Sequence, residues 1–265
     1  NQGTKQAIVL TRIGLYQEDS SMDITISSSL TPREKDKIFL LLDACYKKEP
    51  VSLTFPTEEA DHYLLAWENG RLLCAAALLK EDETVYECTA FTRPDCRRNG
   101  IFGAVLEKGL SLLPEDTELL FYVDKKSPDA LEAVTALGAE LLSDEHMMEL
   151  ASDAVSAMKG MGKTGDLTVT EAMEGEQAIL VFSDAHGSLN ISLYGTHYYL
   201  YGFEIREGQR GQGFGTSLLI KVLSFLAERE PLPVTLQVSG SNGPALSLYK
   251  KTGFRITETL SRYLY

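Results

Sequence analysis

The two halves of this chain end with the same succession of elements, and this repeat restricts the fold more than any other feature. Each half predicts paired strands, a turn rich in Arg and Gly, a helix, a strand, a second helix and a last strand. The matched residues of the two halves, about 113 to 115 positions apart, are Arg97/Arg210, Gly100/Gly213, Leu106/Leu219, Lys108/Lys221, Val123/Val238, Ala130/Ala245, Leu131/Leu246 and Gly138/Gly253. We therefore predict two α/β domains that arose by duplication and then diverged.

A length of 265 residues agrees with this, because single domains usually hold about 100–200 residues. The pattern predicts a first domain over residues 22–150, a linker over 151–166 and a second domain over 167–265. Residues 1–21 are expected to be an extension outside the fold. Within the first domain, Thr31 and Glu34 predict a capping box at a helix start, and Asn69-Gly70 between two apolar runs predicts a hairpin turn. Gly138 is expected to close a helix over 128–137, and a strand is expected over 139–142.

The charge of the chain excludes several classes of partner. The formal net charge is −13, and 44% of the residues are hydrophobic, which suits a globular protein. Residues 1–150 hold 15 basic and 27 acidic side chains, whereas residues 151–265 hold 10 and 11. A nucleic acid or an anionic membrane surface requires a basic face, so neither is an expected partner.

The apolar segments and cysteines favour a cytoplasmic protein. The longest apolar stretch, 72–79, has eight residues, whereas a membrane-spanning helix needs about 20. No signal-peptide pattern precedes the first predicted strand. The four cysteines lack zinc-site or disulfide-framework spacing, so no metal site is expected; they are Cys45, Cys74, Cys88 and Cys96.

The turn before the first helix of the second half has the chemistry of an anion site. Arg210 supplies a full positive charge, and three alternating glycines allow backbone amides to approach a phosphate at a helix N-terminus. Thr216 adds a hydroxyl in the first helical turn. The G-x-G-x-G spacing does not fit the dinucleotide fingerprint, which is G-x-G-x-x-G. It does not fit the P-loop either, because no Lys follows the last glycine.

This turn resembles the [Q/R]-x-x-G-x-[G/A] motif of the GCN5-related N-acetyltransferase (GNAT) superfamily, with Arg210, Gly213 and Gly215 at its specified positions. Residues 242–254 resemble a second signature of the same family, N-x-x-A-x-x-[LF]-Y-x-x-x-G-F. The resemblance implies two tandem domains, each a mixed and mostly antiparallel sheet flanked by helices. It also implies acetyl-CoA as the acetyl donor.

By the same resemblance, the cradle for acetyl-CoA comprises Ile205, Arg210, Gly211, Gln212, Gly213, Phe214, Gly215, Thr216, Asn242 and Tyr249. A backbone amide of the strand before the turn, which we assign to Ile205, would bind the thioester carbonyl. Tyr249 would protonate the departing thiolate. The general base is Glu204, His197 or a water molecule, and strand alternation predicts that Phe203 shares a face with Tyr199 and Tyr201, opposite Glu204.

The first half keeps Arg97 and Gly100 but departs elsewhere from the family pattern. Phe102 replaces Gly215, Ser127 replaces Asn242, Val134 replaces Tyr249 and Phe91 replaces Glu204. We therefore expect that the first domain binds no acetyl-CoA productively, and that it completes the acceptor pocket or supports the second domain.

The function indicated is transfer of acetyl from acetyl-CoA to a primary amine of a small molecule. Two alternatives stay open at this point: a non-catalytic acyl-CoA-binding or regulatory module, and a protein or peptide N-acetyltransferase. The sequence gives no indication of the oligomeric state.

Overall fold

The computed structural model describes residues 22–162, 165–175 and 177–265, so the expected extension 1–21 lies outside the described residues. The chain divides into two compact units. The first unit contains the described residues up to Ser143 together with Leu260–Tyr265, and the second unit is Asp144–Thr259.

The first unit is a sheet with helices on both faces. Its strands are β1 (Asp23–Ser27), β2 (His62–Glu68), β3 (Arg71–Lys80), β4 (Val85–Thr92) and β5 (Glu118–Asp124), and its helices are α1 (Pro32–Lys48), α2 (Ile101–Leu110) and α3 (Pro128–Leu137). The strands lie in the order β1-β2-β3-β4-β5, and every pair is antiparallel except β4–β5. One apolar cluster includes residues of α2 and α3, and another includes residues of α1.

The second unit repeats this plan. Its strands are β6 (Glu140–Leu150, from Asp144 onward), β7 (Thr168–Glu174), β8 (Gln177–Ser183), β9 (Gly187–Leu193), β10 (Tyr198–Ile205), β11 (Val234–Ser239) and β12 (Arg255–Leu264, up to Thr259), and its helices are α4 (Ser152–Ala157), α5 (Phe214–Arg229) and α6 (Gly243–Lys251). The order is β6-β11-β10-β9-β8-β7, with β10–β11 the parallel pair. Residues of all three helices join one apolar cluster with the sheet.

Local sequence signals are confirmed at several element ends. The Glu34 amide donates to Thr31 Oγ1 at 3.3 Å while the Thr31 amide donates to Glu34 Oε2 at 2.8 Å, which is the predicted capping box. Asn69 and Gly70 both have positive φ, as a two-residue hairpin turn requires. Gly138 ends α3 in the left-handed region.

The domain boundaries differ in detail from the expected ones. The expected linker, 151–166, contains α4, and Val155 is fully buried in the core cluster of the second unit, so α4 packs into that unit. Strand β6 extends to Leu150, well past the expected end near Leu142. The last residues of β12 pair with β5, which returns the end of the chain to the first unit.

Candidate functional site

The second unit has an opening between its two parallel strands. Strands β10 and β11 pair from Tyr198↔Val234 to Leu200↔Leu236, but β10 runs on to Ile205 and β11 to Ser239. The backbone groups on this edge of β10 beyond Leu200 are therefore not used by the ladder to β11. This opening lies directly before the Arg/Gly turn.

A β-bulge in β10 changes which side chains face the site. Between Tyr201 and Glu204 the pairing with β9 shifts by one residue, and Gly202 within the shift has a φ of +60°. Glu204 pairs with Ser188, and Tyr201 pairs with Asn190. Ser188 and Asn190 are two residues apart on β9, so their side chains lie on the same face. Residues that oppose each other share a face, so Glu204 lies on the face of Tyr201.

The prediction from strict strand alternation was therefore wrong for the end of this strand. Phe203 is not on the face of Tyr199 and Tyr201, because the extra residue of the bulge turns it toward the apolar cluster under α5. Tyr199 and Tyr201 stay stacked on the other face, with ring centroids 6.1 Å apart. Glu204 joins them there, with its side chain 73% exposed.

The backbone of Ile205 faces the opening. The Arg206 amide donates to the His186 carbonyl oxygen at 2.9 Å, so the Arg206/His186 and Glu204/Ser188 pairs are hydrogen-bonded pairs. In an antiparallel ladder such pairs alternate with pairs whose backbone groups point outward. The N–H and C=O groups of Ile205 are consequently directed away from β9, toward the opening.

The Arg/Gly turn adopts a conformation that only glycine takes without strain. Gly208, Gly211 and Gly213 have φ values of +81°, +76° and +85°, and a Cβ built on any of them meets no atom within 4 Å. Gly213 is the N-cap of α5 and offers no side-chain cap, so the first amides of that helix have no capping side chain there. Open space above exposed amides at a helix N-terminus suits a phosphate group.

Arg210 is positioned at the end of the strand and remains accessible. Its Nε donates to the Ile205 carbonyl oxygen at 3.0 Å, which fixes the side chain beside the opening. Its guanidinium lies 3.7 Å from the Glu204 carboxylate, and the side chain is 65% exposed. The exposed ion pair is weak, so the guanidinium stays available to an anion.

The neighbouring motif residues have distinct local roles. Gln212 Nε2 donates to the Gly208 carbonyl oxygen at 3.0 Å, so the side chain closes the turn and leaves the backbone for a ligand. A Cβ on Gly215 would lie 2.9 Å from Leu248 Cδ1, so a larger residue here would require the Leu248 side chain to move. Thr216 lies in the first turn of α5 and is half-buried.

Four residues that the sequence reasoning missed hold this turn in place. The rings of His186 and Phe214 stack at 3.6 Å, and His186 Nδ1 lies 3.0 Å from Gln209 Oε1. Asp184, 1% exposed, accepts from the amides of His186 and Gly187 through Oδ1 and from Lys221 Nζ through Oδ2. No motif links these residues, because their partners lie 23 to 37 positions away in the sequence.

Tyr249 and Asn242 lie where the second signature placed them relative to helix α6. The Tyr249 side chain is 6% exposed, its ring centroid is 6.4 Å from that of Phe203, and burial raises its pKa to about 12. Within the part of the chain that the structure describes, its hydroxyl forms no hydrogen bond. Asn242 is the N-cap, since its Oδ1 accepts from the Ala245 amide at 3.2 Å, and its side-chain NH₂ group is still a donor.

The two candidate bases lie at opposite ends of strand β10. Glu204 is beside the opening, whereas His197 precedes the strand and stacks on Tyr194 with centroids 5.5 Å apart. Seven residues of strand separate them, a span of roughly 23 Å. The structure therefore brings Glu204, and not His197, to the site.

The equivalent turn of the first unit has the same backbone but different electrostatics. Gly100 has a φ of +77°, and Arg98 has a φ of +65° at the position of Gly211. Arg97 Nη1 lies 2.9 Å from both Glu49 Oε2 and Asp129 Oδ2, and its side chain is only 16% exposed. The arginine that would bind a phosphate is therefore already neutralised by the protein.

Two further features close this end of the first unit to a phosphate. Phe102 takes the place of Gly215, and its ring lies edge-on to Phe121 with centroids 6.4 Å apart. Ser127 caps α3 as Asn242 caps α6, but its hydroxyl also donates to Glu49 Oε2 at 2.8 Å. These contacts agree with the expectation that acetyl-CoA does not bind productively here.

The comparisons with known proteins define the class of fold. The chain has the fold of a tandem GNAT protein over the part that superposes: a solved tandem GNAT protein from the clavulanic acid biosynthesis pathway gives a TM-score of 0.70 at 12% identity, covering 92% of this chain and 98% of that one. A GCN5-related N-acetyltransferase from Sphaerobacter thermophilus gives 0.65 at 14% identity, with 91% and 95% covered. The predicted fold class is confirmed.

The second half of the chain matches a family model by sequence. Residues 152–254 match the model described as Acetyltransferase (GNAT) family. A mycothiol acetyltransferase from Clavibacter sepedonicus is 30% identical over 129 residues, which cover 46% of this chain and 42% of the relative. The match thus spans less than half the length of that curated relative.

Two features are absent from the described residues, 22–162, 165–175 and 177–265. No helix there combines the length and apolar character needed to cross a membrane. Likewise, no group of three or more His, Cys, Asp and Glu side chains there is arranged to hold a metal ion.

Proposed function

We propose that the second unit transfers an acetyl group from acetyl-CoA to a primary amine of a small molecule. The observation that carries the proposal is the opening between β10 and β11. It combines the outward amide of Ile205, the accessible guanidinium of Arg210 and the unpartnered hydroxyl of Tyr249 among the described residues. The family match and the name of the mycothiol acetyltransferase relative support the same reaction class.

The chain's own groups fit an acyl-CoA. The glycine amides of the turn and Arg210 would hold the pyrophosphate, while the NH₂ group of Asn242 would contact the pantetheine arm. The Ile205 amide would donate to the carbonyl oxygen of the acetyl group and stabilise the negative charge that develops there. When bound, acetyl-CoA supplies the acetyl group as a thioester.

The high pKa of Tyr249 defines its part in the reaction. A phenol with a pKa of about 12 is protonated at neutral pH, so it can donate a hydrogen bond to the sulfur. Complete transfer of its proton to a thiolate of pKa about 8.5 would be uphill by roughly 5 kcal/mol in the unliganded site. Tyr249 therefore acts as a hydrogen-bond donor to the leaving group, and the proton released by the amine balances the thiolate.

Glu204 is the residue proposed to accept that proton. Its carboxylate is exposed on the face of Tyr199 and Tyr201, opposite the face packed on α5. An amine must lose a proton to attack a thioester, and an exposed carboxylate can take it directly or through water.

The location proposed is the cytoplasm, which agrees with four free cysteines.

The test measures thiol release from acetyl-CoA over a panel of small-molecule amines, with acetyl-CoA binding measured in parallel. Arg210→Gln is expected to weaken acetyl-CoA binding about tenfold, because one charge-assisted contact to a phosphate is lost. Arg229→Gln, at the opposite end of α5, is the matched control. Tight binding without turnover on any amine would favour the non-catalytic alternative, and turnover only on peptides would favour a protein acetyltransferase.

A further inference from the structure

The first unit contains a cavity of about 320 Å³ in the same topological place as the opening of the second unit. Strands β4 and β5 pair only from Val85↔Glu118 to Glu87↔Leu120 and then separate. Apolar side chains from both strands and from α3 line the space, among them Ala90, Phe91, Phe121, Val123 and Val134. A cavity of this size is in the range of small-molecule sites.

One end of this cavity corresponds to the Arg/Gly turn of the second unit, and the protein's own charged side chains block it. Glu49 follows α1 and places its carboxylate 2.9 Å from Arg97 Nη1, where it also accepts from the Ser127 hydroxyl. Asp129 binds both Arg97 and Arg98, at 2.9 and 3.0 Å. A pyrophosphate would have to displace two carboxylates from these arginines, and it would meet their negative charges.

The charges that line the cavity favour a cation. Four carboxylates, those of Glu49, Asp124, Asp129 and Glu132, face only two guanidinium groups, and both guanidinium groups are already paired. Asp124 is fully buried, and within the described part of the chain its Oδ2 has no hydrogen-bond partner. The potential that these groups add to the cavity is negative.

Aromatic rings are a second feature of this cavity that favours a cation. Phe91, Phe102 and Phe121 line the cavity; Tyr122 also lines it, but Arg262 already lies over that ring, 5.8 Å from the centroid. The face of an aromatic ring attracts a cation, and the attraction grows when water is excluded. We propose that this cavity is a binding site for a small ammonium compound with an apolar body, and that it does not accept acetyl-CoA. This inference is independent of the reaction proposed for the second unit.

The test uses three ligands of one shape and different charge: 2-phenylethylamine, which is protonated at pH 7, 2-phenylethanol and phenylacetate. Binding is measured by calorimetry on the full chain. The amine is expected to bind with one site in the first unit and about tenfold more tightly than the alcohol, with phenylacetate weakest. Equal affinities for the three ligands, or no binding of the amine, would overturn the proposal.

Two variants locate the site. Ala133 lines the cavity from α3, so Ala133→Leu fills part of it and should weaken amine binding about tenfold or more. Thr135→Leu adds a similar group on the exposed side of the same helix and should leave binding unchanged. Amine binding that persists in Ala133→Leu would belong to another site and would contradict the proposal.

A third variant tests the charge without changing the volume. Glu49→Gln is expected to lower amine affinity about tenfold while 2-phenylethanol affinity stays the same. A thermal unfolding curve of each variant verifies that the first unit is folded.

Titration with acetyl-CoA should give one equivalent per chain in the unsubstituted protein, whereas two equivalents would show that the first cavity accepts it and would overturn the assignment.

Discussion

Arg97 and Arg210 make the same hydrogen bond in the two halves of the chain. Each donates its Nε to the carbonyl oxygen of the last residue of the preceding strand, Arg97 to Thr92 at 3.1 Å and Arg210 to Ile205 at 3.0 Å. What differs is the rest of the guanidinium group, which is paired with Glu49 and Asp129 in the first unit and exposed in the second. One inherited residue has thus become structural in one half and stayed available to a ligand in the other.

This difference predicts opposite effects of the same substitution. Arg97→Gln removes the arginine paired with Glu49 and one of the two arginines paired with Asp129, so the first unit should lose about 3 kcal/mol of unfolding free energy. Acetyl-CoA affinity of that variant should be unchanged. Arg210→Gln should reduce acetyl-CoA affinity and leave the melting temperature unchanged. Denaturant unfolding and calorimetry of both variants measure the two quantities, and equal effects on acetyl-CoA affinity would contradict the assignment.

Removal of the Tyr249 hydroxyl should separate catalysis from stability. Tyr249→Phe is expected to lower kcat by about 10²–10⁴-fold, since a positioned donor to the leaving group is lost. Its melting temperature should change little, because the hydroxyl makes no hydrogen bond to the described residues while the ring and its packing are kept. Tyr198→Phe, another buried tyrosine of the same unit, is the control for kcat. An unchanged kcat in Tyr249→Phe would remove this residue from the mechanism.

The Asp184–Lys221 pair predicts an acid-sensitive contribution to stability. Burial alone would raise the pKa of the Asp184 carboxyl, but hydrogen bonds from the His186 amide and from Lys221 outweigh it and lower that pKa. A lowered folded-state pKa contributes stability above the unfolded value of about 3.9, and this contribution is lost as pH falls through the folded value. Asp184→Asn should therefore cost about 3 kcal/mol at pH 7, and this cost should shrink as pH falls below the unfolded value and through the lowered folded-state pKa.

Urea unfolding at a series of pH values measures this difference. The matched control is Asp166→Asn, which removes the exposed partner of the same lysine and should have a much smaller effect at pH 7. A loss in Asp184→Asn that is independent of pH would point to packing and not to the ion pair.

Local signals explain how much of the fold was predictable. The capping box at Thr31 and the Asn69-Gly70 turn depend on residues within four positions of each other, and both are confirmed. Glu49 could not be predicted as a partner of Arg97 and Ser127, because it lies 48 and 78 positions from them. Such pairs form only when the sheet brings separate segments together.

The site was predictable to the same extent. The motif residues Gly213 and Asn242 could be located from short patterns, and in the structure they are the N-caps of α5 and α6. The face of Glu204 was not predictable from strand alternation, because a single extra residue in β10 reverses the alternation beyond it. Gly202, a glycine inside the strand, was the sequence feature that could have indicated the bulge.

The bulge itself can be tested at Gly202. Its φ of +60° is strained for any other residue, and a Cβ there would lie 2.9 Å from Asn190 Nδ2. Gly202→Ala is therefore expected to cost at least about 1 kcal/mol and to shift Glu204 and Ile205 relative to the opening. A misplacement of this kind should lower kcat/KM with acetyl-CoA by about 10²-fold. Gly195→Ala, in the turn before β10, carries similar strain outside the bulge, because Gly195 has a φ of +65° and open space around it. If both variants lose the same activity at equal loss of stability, the bulge has no specific part in positioning the site.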